Sequence, residues 1–341
     1  MPVTLNELAR LAGVSNATVS YALSEHKHQR VNKDTRQRIL ALAREYGYRR
    51  NLAGQALVKG KTYRVSICIK GYLASTHSAA DEPNFYDQFV LYSRGIQSAG
   101  YGLDLVELAD DQSPESISRT LANRFTDGFI LLFWPQDMLA KILFSLKEKR
   151  IPAVTSGTVV QSEGFTWTAI DEYDVFARAT ERLLQDGHEK IAFIDVQSGS
   201  LPVRKRDAFL DTIQRRLRRD AADWVFPLLK PRVAELVEAT HAALDRIGGV
   251  RAFLVSENMH GHAVSHALQL KGLTPGKDCR VIGYGESFEA QRSKPKLSHY
   301  CVKNKDQVEF GLEALLEQMT SIAAYEPRHQ LIQPQFVELD T

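Results

Sequence analysis

The chain predicts an α/β protein in two parts: a small all-helical domain first, then a long series of βα units forming parallel sheets. Three observations carry this reading. Capping residues and apolar spacing mark three short helices in the first fifty positions. Basic charge is concentrated in that same segment. From residue 64 the period changes to short apolar runs alternating with helix-length stretches.

Thr4 caps a first helix, and Glu7 three positions later completes a capping box. Leu5, Leu8, Ala9 and Ala12 share one helical face. Gly13 breaks the helix, Val14 is suited to plug the turn, and Ser15 caps a second helix over 16–23. That helix buries Val19 and Leu23 and turns Asn16, Ala17, Ser20 and Tyr21 outward. A third helix starts near Asn32, carries Ile39, Leu40, Leu42, Ala43 and Tyr46 on its course, and stops at Gly47. Three short helices around one small core, with an exposed polar second helix, suit insertion into a DNA major groove. A generic small helical bundle is the plain alternative.

Charge separates the two. Residues 1–62 hold 11 Lys/Arg against 4 Asp/Glu, whereas the remaining residues hold 32 against 37. Phosphate neutralisation by Lys and Arg is the main source of sequence-independent DNA affinity, so a basic helix-turn-helix points to double-stranded DNA.

A chain of 341 residues suits two or three domains, and 44% hydrophobic with 25% charged residues is ordinary globular composition. No apolar run reaches the roughly 18 residues of a membrane span. The N-terminus lacks a charged-then-apolar signal pattern. Cys68, Cys279 and Cys301 are widely separated, as expected of reduced thiols. A cytoplasmic protein with no membrane association is the expectation.

Past residue 64, strands are expected over 65–69, 103–108, 128–134, 153–155, 191–195, 252–255 and 280–284. Helices are expected over 86–99, 116–124, 136–149, 175–186, 205–216, 233–246 and 261–271, and a closing strand over 331–339. Continuous apolar strands alternating with helices mean parallel sheets covered on both faces, in one sheet or two. Such sheets bind ligands at the carboxyl ends of their strands.

Together, TLNELARLAGVSNATVS, VNKDTR, EYGY and residues 51–57 resemble the lactose-repressor (LacI/GalR) family of bacterial transcription regulators. So do Asn84-Phe85-Tyr86 entering a helix, the LQDGH run 184–188, and Val281-Ile282-Gly283-Tyr284. The resemblance implies a helix-turn-helix domain over 1–49, a hinge helix and linker over 50–62, and a two-lobed periplasmic-binding-protein-like domain over 63–341. It further implies a homodimer on a near-palindromic operator and a small-molecule effector, a sugar or sugar acid, between the lobes.

By the same resemblance, Asn16, Ala17 and Tyr21 are the base-reading residues. Asn16 suits adenine edges, and Ala17 offers only methyl contact to thymine. Thr4, Ser15, Thr18, Ser20, Thr35, Tyr48 and Asn51 match backbone-contacting positions. Ala53 and Leu57 match the hinge element that enters the minor groove, Leu57 as its apolar wedge. Gly54 in place of the usual alanine costs that helix ~1 kcal/mol.

The effector positions carried over are Phe85, Lys205, Trp224, Glu257, Asn258 and Gly285. Gly285 replaces a usual aspartate, and Lys205 stands for a common arginine between Arg204 and Arg206, which tilts the expectation slightly toward an anionic or acidic sugar. Trp224 and the basic run each have a structural alternative, as core and as a solvated helix start.

Other chemistries find little support. GQALVKGKT has five residues between its glycines where a phosphate loop requires four. His260, His262 and His266 lack further convergent ligands, so no metal and no cofactor is expected. No nucleophile elbow supports an enzyme. A transport-type sugar-binding protein without a regulatory role is the alternative. The expected mechanism is allosteric repression, in which cleft occupancy resets DNA affinity.

Overall fold

The computed structural model describes residues 3–23, 31–48, 60–70, 83–109, 111–134, 136–197, 204–229, 231–285 and 287–341. They fall into two compact units, one ending at Thr62 and the other beginning at Tyr63.

The first unit contains α1 (Leu5–Ala12), α2 (Asn16–Ala22) and α3 (Lys33–Glu45). The capping box at Thr4 is formed, and Gly13 closes α1 in the left-handed conformation with φ 63°. Leu8, Ala9, Ala12, Val19, Ala22 and Ile39 make the core, and Val14 packs against it as the turn plug. Helix α2 ends one residue earlier than the sequence predicts. Leu23 is its C-cap and only partly buried, while Ala22 is fully buried in its place.

The second unit holds two six-stranded sheets. The first comprises β1 (Arg64–Lys70), β2 (Gly102–Leu108), β3 (Gly128–Leu132), β4 (Ala153–Ser156), β5 (Thr166–Ile170) and β11 (His329–Ile332). Its order is β11-β5-β4-β3-β1-β2, parallel throughout. The second comprises β6 (Ile191–Gln197), β7 (Val225–Leu229), β8 (Ala252–Val255), β9 (Arg280–Gly285), β10 (Ser298–Cys301) and β12 (Gln335–Val337). Its order is β12-β10-β9-β8-β6-β7, with only β12 antiparallel. Strands such as β3, buried along its whole length, need cover on both faces, and the helices supply it.

In chain order these helices are α4 (Pro83–Ser98), α5 (Pro114–Ala122), α6 (Gln136–Glu148), α7 (Glu172–Gln185), α8 (Arg204–Leu217) and α9 (Val233–Arg246). They continue with α10 (Asn258–Leu270), α11 (Ser287–Arg292) and α12 (Asn304–Thr320). Helix α12 follows β10 of the second sheet in sequence yet packs on the first, adding Val308, Ala314 and Leu315 to the core around Tyr92 and Ile96. Gly311 lets α12 approach α4, because a β-carbon there would overlap the Tyr92 hydroxyl.

The chain therefore passes between lobes after β5, after β10 and between β11 and β12. The single closing strand expected over 331–339 is in fact two, His329–Ile332 in the first sheet and Gln335–Val337 in the second. Pro334 lies at the crossing, where no ladder N–H is required. No helix among the described residues is long and apolar enough to cross a membrane.

Candidate functional site

In the helical unit, Ser15 Oγ accepts the Thr18 N–H at 3.2 Å and lies 2.9 Å from the Thr18 hydroxyl, fixing the start of α2. Asn16, Ala17 and Ser20 are exposed on one stretch of that helix, and Tyr21 beside them is half-buried. Asn16 Nδ2 donates to Asn6 Oδ1 at 2.6 Å, so α1 orients the amide of the foremost base-reading candidate. Sequence reasoning did not single out Asn6, since a ten-residue separation across a turn leaves no periodic signal.

Thr4 is exposed, whereas Thr18, Thr35 and Tyr48 are half-buried. Tyr48 packs on the core, leaving its role there at least partly structural. The N–H and hydroxyl of Thr4 hold the Glu7 carboxyl below its ordinary pKa. Asn51, Ala53 and Leu57 lie outside the described residues.

The second unit contains a cavity of about 410 Å³ between its two sheets, within the usual size range of small-ligand sites. The first lobe contributes Gln88, Phe133, Gly157, Thr158 and Ala169, and the second contributes Glu172, Arg204 and Tyr284. Most of these sit where strands end at their carboxyl edges, as this architecture dictates.

Its floor is a buried amide network. Gln88 Oε1 accepts from Ser156 Oγ at 2.9 Å, and Gln88 Nε2 donates to Asn304 Oδ1 and Gln307 Oε1, both at 3.2 Å. Gln307 Nε2 in turn donates to the Thr168 carbonyl at 3.3 Å. Buried polar groups satisfied in this way are held rigidly. Phe133 forms a wall with its backbone in the left-handed region, at φ 53°, where a non-glycine residue is strained. Its ring covers Gly157 so closely that a β-carbon there would overlap it.

Among the effector residues carried over from sequence, Lys205 lies beside the cleft, its Nζ 3.3 Å from Glu172 Oε1 and 5.1 Å from the Tyr284 ring. Burial opposes its charge, but the carboxylates of Glu172, Glu257 and Asp195 outweigh that and raise its pKa above the ordinary lysine value. Asp195 also sits 3.6 Å from Arg206 Nε. The charge of Lys205 is thus offset by carboxylates remote in sequence.

Asn258 is buried against Gly283 and Gly285, with Glu257 beside it 3.6 Å from His260 Nδ1. Phe85 is buried, its ring 6.5 Å from that of Phe133, so it backs the wall. Trp224 is corrected as well. It is 1% exposed within the second lobe's core, its ring face covered by Arg219 at 4.6 Å, and does not line the cleft. Among the described residues no three His, Cys, Asp or Glu side chains converge as a metal site.

Comparison with known proteins finds matches in both units. Residues 4–51 match the family model of bacterial regulatory proteins, lacI family, and residues 180–341 match a periplasmic binding protein-like domain. The HTH-type transcriptional regulator RafR of Escherichia coli is 27% identical over 283 residues, covering 81% of this chain and 79% of that protein. The regulator CelR of Thermobifida fusca is 27% identical, covering 86% and 85%. Among solved structures, the lac repressor dimer bound to operator and the anti-inducer ONPF aligns with a TM-score of 0.77 at 20% identity, over 100% of this chain and 99% of that one. The CelR–cellobiose complex aligns at 0.66 and 22%, covering 99% of each.

Proposed function

We propose that this chain, a DNA-binding transcriptional regulator of the lacI family of bacterial regulatory proteins, is a cytoplasmic repressor whose operator affinity is set by a carbohydrate in the interlobe cleft. The carrying observation is the cleft itself. Amide, hydroxyl, carboxylate and guanidinium groups from both lobes line it together with Phe133 and Tyr284. Sugars present hydroxyls at their edges and C–H faces to aromatic rings, and this lining matches both.

We favour a neutral carbohydrate over a sugar acid, because Glu172, Glu257 and Asp195 balance Lys205 and Arg206, and Glu172 lines the cleft together with Arg204. Names of relatives point the same way, one solved relative being a CelR–cellobiose complex. The protein works as a two-fold dimer on a near-palindromic operator, Asn16, Ala17 and Tyr21 reading bases while Thr4, Ser15, Thr18, Ser20, Thr35, Tyr48 and Asn51 fix register on phosphates. Ala53 and Leu57 of the hinge segment enter the minor groove.

Sugar binding between the lobes changes their closure, and DNA affinity shifts by the ligand's differential affinity for the two states. Regulation by binding requires no turnover, and none is assigned to the cleft.

The test is thermal-shift screening of the full chain against neutral mono- and disaccharides beside the matching uronates. A neutral sugar should raise the melting temperature saturably and its uronate much less. Stabilisation by uronates alone would overturn the neutral-sugar reading.

A further inference from the structure

We infer that the first lobe holds a second small-molecule site, built for an amphipathic carboxylate: an apolar body carrying one anionic head. A cavity of about 370 Å³ lies at the opposite end of the sheet from the cleft. Strands β4 and β5 begin there, at Ala153 and Thr166, and end at the cleft, at Ser156 and Ile170. The two cavities are therefore separate sites at the two ends of the same strands.

The walls are apolar, formed by Leu143, Leu146 and Ile151 from one side and by Phe165, Ile322 and Pro327 from the other. The few polar groups within are already engaged. Gln318 Oε1 accepts the Ala153 N–H at 3.0 Å, and the Thr166 and Tyr325 hydroxyls pair at 2.9 Å. The interior thus suits an apolar body, with no polar group demanding a partner.

The mouth is cationic. Lys147 and Arg150 both line it, and neither forms an ion pair with a carboxylate among the described residues. Lys147 is exposed and leans over the rim. Its Nζ lies 5.5 Å from the Phe165 ring centre, over Gly164, where a β-carbon would come within 2.6 Å of it. Two cations outside any ion pair among the described residues, beside an apolar chamber, complement an anionic head on an apolar tail.

The experiment uses the full chain and two probes of equal tail length, octanoate and 1-octanol, followed by titration calorimetry. Octanoate should bind saturably at one site per chain. The double variant Lys147→Glu, Arg150→Glu should weaken octanoate by at least about tenfold and leave 1-octanol within about twofold, which also shows the chamber intact. The cleft variant Tyr284→Ala should leave octanoate binding unchanged.

Absence of saturable octanoate binding would overturn the site. So would equal weakening of both probes by the charge reversal, or loss of octanoate on Tyr284→Ala, which would place it in the cleft. None of these results bears on the carbohydrate reading, because the cleft is tested with different ligands.

Discussion

Replacing Gly157 by alanine tests whether the Phe133 wall is as tightly built as its geometry implies. Gly157 has φ 88°, and a β-carbon there overlaps the Phe133 ring. Two penalties act together. An L-residue in the left-handed region costs about 1–2 kcal/mol, and forcing a neighbour aside in a packed wall costs about 1–3 kcal/mol more. Gly187 separates them, since it has φ 90° but nothing within 4 Å of a built β-carbon. Gly187→Ala should therefore lose only the backbone part, about 1–2 kcal/mol. Urea unfolding of both variants, with sugar-induced thermal shifts alongside, reads the difference. Gly157→Ala should be the less stable and should lose cleft-ligand affinity as Phe133 moves. Equal loss in the two variants, with ligand binding intact in both, would refute the reasoning.

Other perturbations follow from the same structure. Ile39→Ala removes a fully buried side chain from a six-residue core, costing about 2–5 kcal/mol. DNA retention should collapse while unfolding of the unit beginning at Tyr63 is unchanged, as measured by gel shift and calorimetry. Gln88→Leu leaves Ser156, Asn304 and Gln307 without their shared partner, costing about 1–3 kcal/mol in denaturant unfolding. Asp104 is held below the ordinary carboxylate range by its hydrogen bond to Arg64. A depressed folded-state pKa gives stability that is present above the unfolded value, about 3.9, and is lost as pH falls through the folded value. Asp104→Asn should flatten that acid limb of a pH-stability profile. Asn16→Ala should cost about 1–3 kcal/mol of discrimination at one base position in competition binding, with less effect on non-specific DNA.

How much of this is legible in sequence depends on the range of the interactions. The three N-terminal helices are set by local caps and spacing, and Thr4, Gly13, Ser15 and Asn32 mark their ends in the structure. Continuous apolar runs announce β1, β3, β6, β8 and β9, because a strand buried on both faces has nothing else to show. Helix α12 is not announced, since its buried side carries Asn304, Gln307 and Gln318 among apolar residues and blurs the period. Strand β5 alternates Thr and apolar residues over only five positions, and β7 contains Pro227, which reads as a break yet is tolerated at a sheet edge.

The cleft is harder to read for the same reason. Gln88 and Gln307 meet across 219 positions, and Glu172 neutralises Lys205 from another helix. Trp224 shows the converse error: an aromatic at a suggestive position belongs to the core once its surroundings are known.

The most direct test of the central claim is selection of genomic DNA fragments by the purified full chain at moderate salt, with and without the sugar that stabilises it, followed by sequencing of what is retained. The account predicts enrichment of a near-palindrome with half-sites about one helical turn apart, altered when the sugar is added. Retention without sequence preference, and unchanged by the sugar, would contradict it.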